Sequence, residues 1–104
     1  MTETEFNQAV DAIFSKIEDV LDARDTDIDY ETSAGILTLE FVDGSKIILN
    51  RQNPTQEIWV AAKSGGYHYR LEQGAWRNTR DGSELFVSLS SYIHQQSGED
   101  IPLS

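Results

Sequence analysis

Apolar residues near the start of the chain recur at helical spacing: Phe6, Val10, Ile13, Phe14, Ile17 and Leu21 fall on one stripe of a 3.6-residue period. Thr2 and Glu5 have the spacing of a capping box, so the pattern predicts a helix from about residue 4 to 23. From Asp27 the period switches to two. Asp27, Asp29 and Glu31 alternate with Ile28 and Tyr30, which places acids on one face of a strand and apolar residues on the other. Leu37, Leu39 and Phe41 alternate with Thr38 and Glu40, Asp43-Gly44 supplies a tight hairpin turn, and Ile47 and Leu49 continue on the return strand. A turn around Asn53-Pro54 leads to inward-facing Ile58 and Val60. Ser64-Gly65-Gly66 then reverses the chain into a strand with Tyr67, Tyr69 and Leu71 inward, and a short strand around Ala75-Trp76-Arg77 follows. Asp81-Gly82-Ser83 reads as a helix start with Ser83 as N-cap. Leu85, Phe86, Leu89, Tyr92 and Ile93 make the second helical stripe, which stops before Gly98 and leaves a loose tail.

Two helices bracketing consecutive antiparallel strands can bury both apolar stripes only on the same face of the sheet. The expected fold is therefore α+β, a two-layer sandwich with terminal helices on one face of an antiparallel sheet of five to six strands. Its other face must meet solvent or a partner. Residues 1–104 suit one domain, and Leu, Ile, Val and Phe supply 26 of the 104 residues, enough for a core and more than a disordered acidic chain carries. No internal repeat, low-complexity segment or linker interrupts the pattern.

Charge changes the picture. Residues 1–31 hold ten acids against Lys16 and Arg24, whereas residues 46–80 hold six bases against Glu57 and Glu72. The formal net charge of −10 disfavours nucleic acid and anionic membranes and favours cations or basic protein surfaces. Absence of cysteine removes disulfides, thiolate metal sites and direct cluster ligation. No apolar run reaches membrane-spanning length and the N-terminus lacks a signal-peptide pattern, so a cytoplasmic location is expected.

Seven acids crowd into residues 18–31: Glu18, Asp19, Asp22, Asp25, Asp27, Asp29 and Glu31. On the predicted helix Asp11, Glu18, Asp22 and Asp25 share a stripe beside the core-facing one, and Asp22 and Asp25 sit at its C-terminal end, where the macrodipole disfavours carboxylates. A bound cation would offset that cost. All-oxygen donors without nearby His or Cys suit hard ions such as Fe³⁺, Mg²⁺, Ca²⁺ or Mn²⁺, with Fe²⁺ tolerated. The bland alternative is a solvated, solubility-giving surface. An EF-hand is excluded because Tyr30 and Ile36 replace its required Gly and Glu.

Trp59 shares strand parity with Glu57, Ala61 and Lys63, opposite Ile58 and Val60, so its indole is expected on the sheet face away from the helices. Thr38, Glu40, Ile48, Asn50, Gln52, His68 and Arg70 would surround it in a flat polar patch with an aromatic centre, suited to protein docking. The alternative is a Trp that merely covers the sheet. Catalysis finds little support: His68 and His94 are on different elements without a nucleophile partner, Ser88, Ser90 and Ser91 are ordinary polar helix positions, and no phosphate loop follows a parallel strand.

The run Gly35-Ile36-Leu37-Thr38-Leu39, then Lys46-Ile47-Ile48-Leu49-Asn50-Arg51-Gln52-Asn53-Pro54, then Ile58-Trp59 and Ser64-Gly65-Gly66-Tyr67-His68-Tyr69 strongly resembles the frataxin family, in particular its short bacterial members. The resemblance covers nearly the whole chain and implies an iron-binding regulator of iron–sulfur cluster assembly. It implies iron, Fe²⁺ or Fe³⁺, on an acidic ridge of Glu18, Asp19, Asp22, Asp25, Asp27 and Asp29. It also implies docking of that ridge, flanked by Asp11 and Glu31, on a basic surface of a cysteine desulfurase. The sheet face around Asn50, Arg51, Gln52 and Trp59 is implied to approach the scaffold protein. Two departures from the family pattern stand out: Ala23-Arg24 interrupt a run that is often more acidic, and Glu57 stands where Gln is common. The expected protein is a non-enzymatic adaptor, a monomer with iron-induced oligomers as the other state. The rival readings are an acidic protein-interaction module with incidental metal binding, and a ferroxidase.

Overall fold

The computed structural model describes residues 1–103. Helix α1 (Glu3–Asp22) begins with the expected capping box: Glu5 N–H donates to Thr2 Oγ1 at 3.1 Å, and Thr2 N–H donates to Glu5 Oε1 at 2.7 Å. Its buried stripe is Phe6, Val10, Phe14, Ile17 and Leu21. Six strands follow: β1 (Asp29–Ser33), β2 (Ile36–Glu40), β3 (Lys46–Gln52), β4 (Glu57–Ala62), β5 (Gly65–Glu72) and β6 (Ala75–Asn78). They lie side by side in chain order as an antiparallel meander, and helix α2 (Leu85–Ser97) completes the described elements. This is the two-layer α+β sandwich that the periodicity predicted, with six strands.

The inward residues Leu37, Leu39, Ile47, Leu49, Ile58, Val60, Tyr69 and Trp76 form one core with the two helical stripes. Register follows from that parity, because a shift by one residue would turn every one of these side chains to the outer face. Arg51 fastens the core's edge. Its guanidinium donates to Asn7 Oδ1 at 3.1 Å and Asp11 Oδ1 at 2.6 Å, and its carbon atom Cζ stands 5.3 Å from the centroid of the Phe14 ring.

The structure corrects four local expectations. Helix α1 ends at Asp22, so Asp25 lies in the connection to β1 and not on the helical stripe. The chain must turn there to deliver Ile28 to the core, and Thr26 Oγ1 accepts the Ile28 N–H at 3.3 Å within that turn. The N-cap of α2 is Glu84, whose carboxylate accepts from the N–H groups of Phe86 and Val87. Ser83 cannot serve, because its carbonyl takes the Asn78 N–H and a bridge pairs Arg77 with Glu84. The β4–β5 turn is Lys63-Ser64, while Gly65 and Gly66 already pair with Ala62 and Ala61. Finally, the tail is packed: Ile101 and Leu103 are buried, and the Ile101 carbonyl accepts the Ser90 hydroxyl at 2.8 Å. Their apolar side chains gain more from the core than the tail loses in freedom.

Candidate metal-binding edge and interaction face

β1 is an edge strand, and the predicted acids divide across it. On the helix side, inward-facing hydroxyls of β1 meet carboxylates of α1: Tyr30 donates to Asp22 Oδ1 at 2.7 Å, and Thr32 donates to Glu18 Oε2. The hydrogen bond to Asp22, followed by desolvation and the charges of Asp22, Glu18 and Asp19, pushes the Tyr30 phenol up to about 12. Tyr30 therefore stays protonated and keeps donating. Asp19, Asp25 and Asp27 are exposed.

On the outer side, Asp29 and Glu31 project with the opposite parity. Asp29 pairs across the strands with Glu40, and both line a shallow depression of about 200 Å³ with Glu31, Thr38 and Lys46. Like charges directly opposite one another are unfavourable, and Lys46, 3.8 Å from Glu40, is the cation that relieves them. None of the seven acids from Glu18 to Glu31 forms a salt bridge among the described residues. Their negative field is thus largely uncompensated by the protein's own cations. Among the described residues no three Asp, Glu or His side chains converge on a point that could hold a metal ion. The donors are chemically suited to hard cations, as carboxylate and hydroxyl oxygens, but they form an open edge and not a cage.

Asp11 stands apart from this edge, bound to Arg51. Arg51 itself points to the helix side, and its side chain is 17% exposed, whereas its neighbours Asn50 and Gln52 have the outward parity. Asn50 pairs with Trp59 and Gln52 with Glu57. Trp59 does lie on the outer face, stacked on His68 at a ring separation of 4.4 Å and an interplanar angle of 7°. Its N–H donates to Glu57 Oε1 at 2.9 Å, and Arg70 donates to Glu57 Oε2 at 2.8 Å. Charge alternation hid the roles of Glu57 and Tyr30 in the sequence. The usable signal was parity: Glu57 shares a face with Trp59, and Tyr30 faces the helix that carries Asp22.

The chain matches the family model described as a frataxin-like domain over residues 1–99. It is 49% identical over 104 residues to the iron-sulfur cluster assembly protein CyaY of Paraburkholderia phymatum, covering 100% of this chain and 99% of that protein. Identity to CyaY of Paraburkholderia xenovorans is 48% over 101 residues, 97% of this chain and 96% of that one. Among solved structures, frataxin from Psychromonas ingrahamii superposes with a TM-score of 0.95 at 36% identity, covering 100% of this chain and 99% of that chain. A trimeric frataxin from the yeast Saccharomyces cerevisiae, complexed with ferrous iron, gives a TM-score of 0.73 at 27% identity over 95% of this chain and 88% of that one.

Proposed function

The chain belongs to the frataxin family, and on that premise we propose that it is a non-enzymatic, iron-binding adaptor of iron–sulfur cluster assembly. The observation that carries this reading is the row of carboxylates, without salt-bridge partners among the described residues, that runs from the last turn of α1 through β1. Solvated carboxylates of this kind capture Fe²⁺ or Fe³⁺ weakly and release it readily, as cargo, and they also accept other hard divalent cations. The same field steers association with a basic surface of a cysteine desulfurase, so iron and desulfurase share one edge and each alters the other's occupancy.

The outer sheet face around Asn50, Gln52 and Trp59 is assigned to the scaffold protein. The acidic edge, on α1, its connection and β1, and the outer face, on β3 to β5, are different surfaces of the one fold, so the adaptor contacts both proteins at once. A cytoplasmic monomer fits this role; no helix among the described residues is long and apolar enough to cross a membrane. The double variant Asp22→Asn, Asp25→Asn tests the reading by calorimetric titration with Fe²⁺ and with the desulfurase. Both affinities should fall together while the fold persists, and both should weaken with added salt in the wild type. Desulfurase binding unchanged alongside lost iron binding would leave an interaction module that docks elsewhere.

A further inference from the structure

Among the described residues Glu57 is the one buried carboxylate, 7% exposed, and it lies on the outer sheet face, where no helix covers it. Its cover is local. Strand parity and register place Glu57, Trp59, Arg70 and His68 in a two-by-two block: Glu57 and Trp59 are two apart on β4, opposite Arg70 and His68 on β5. The two carboxylate oxygens are divided between the indole N–H and the Arg70 guanidinium, and His68 Nδ1 stands 3.7 Å from Oε1. A buried carboxylate is tolerated only when so paired, and here the pairing also fixes its partners. The indole lies along its own strand with its only donor taken and one ring face on His68, and Glu57 engages one guanidinium nitrogen of Arg70, whose side chain is 53% exposed. Beside the stacked pair is a shallow depression of about 240 Å³ whose lining is mainly apolar, with Ile48, Ala61 and Gly66, the Asn50 amide and the two rings among it.

We propose that Glu57 sets what this face recognises: it saturates the Trp59 donor and restrains Arg70, so the face selects an apolar side chain of the docking protein over an acidic one. The inference rests on the reading that the outer face docks on the scaffold protein. Glu57 acts through Trp59 and is a positioning residue.

Two measurements on the full chain test it. In the free protein, Glu57→Ala should speed hydrogen exchange of the Trp59 indole N–H roughly tenfold, whereas Glu57→Gln, which keeps an acceptor oxygen, should leave it slow. Unchanged exchange in a folded Glu57→Ala variant would overturn the proposal. In titrations with the purified scaffold protein, Trp59→Ala should weaken binding more than about tenfold, while Trp59→Phe and Arg70→Ala should each stay within roughly threefold. If Arg70→Ala or Trp59→Phe costs as much as Trp59→Ala, the partner uses the donor or the charge and the proposal falls while outer-face docking stands. If Trp59→Ala costs nothing, the outer face is not the docking face, and both readings fall.

Discussion

Arg51→Ala should be among the most destabilising single changes outside the apolar core. The Arg51 stem reaches from β3 to α1, with its Nε 3.4 Å from the carbonyl of Gly35 in the β1–β2 turn and its fork on Asn7 and Asp11. Truncation removes two buried methylenes, each about 0.8 kcal/mol, and the Phe14 cation–π contact, about 0.5–1 kcal/mol. The Asp11 side chain is 65% exposed, so the ion pair is discounted for solvent to about 0.5 kcal/mol. Asn7 is not orphaned, because its Oδ1 also accepts Asn53 Nδ2 at 3.1 Å. The expected cost is about 3 kcal/mol, a fall in Tm of roughly 12–20 °C for a chain of this size. Arg51→Met keeps the stem and should lose only about 1–1.5 kcal/mol. Urea denaturation of the three proteins, with Cm compared at constant m, measures this. A loss below about 1 kcal/mol for Arg51→Ala, or equal losses for the two variants, would refute the clamp as described.

Tyr69 and Tyr92 share a buried hydroxyl–hydroxyl hydrogen bond of 2.8 Å, and burial with that bond pushes the Tyr92 phenol well above its ordinary range. Tyr69→Phe should cost about 1–2 kcal/mol, and the double Phe variant less than the sum of the singles, as read by thermal unfolding. Gly98 caps α2 at φ 75°, and an added Cβ would meet nothing within 4 Å. Gly98→Ala should therefore cost about 1 kcal/mol from backbone conformation alone; an unchanged Tm would contradict that. The Thr2 backbone N–H, then its side chain, holds the Glu5 carboxyl below the ordinary glutamate range. A lowered folded-state pKa gives stability that is present above the unfolded value and lost as pH falls through the folded one. The stability gap between wild type and Glu5→Gln should accordingly close in acid.

Sequence periodicity carried most of the fold because helix and strand periods were clean: Phe6 to Leu21 could be buried only as a helix, and Leu37–Leu39 with Ile47–Leu49 only as a hairpin. The misses are places where a long-range contact outweighed a local signal. Ser83 is a good N-cap by type, yet the Arg77–Glu84 bridge holds it out of the helix. Ile101 and Leu103 follow Gly98 and a Pro intervenes, so nothing local announced that they reach the core. For the site, the row of acids was legible as composition. Its division by β1 into a hydroxyl-bound side, Glu18 and Asp22, and an outer side, Asp29 and Glu31, depends on which face of the edge strand meets α1. Arg51 sits in the same motif as Asn50 and Gln52, but alternation turns it toward Asn7 and Asp11.

The most direct test of the acidic edge is an anaerobic Fe²⁺ titration of the ¹⁵N-labelled protein in moderate salt, followed by backbone NMR and repeated with the cysteine desulfurase. Shifts and line broadening confined to residues 18–31 in both titrations are expected. Undisturbed spectra with iron, or iron effects centred away from the α1–β1 edge, would contradict an iron-binding adaptor.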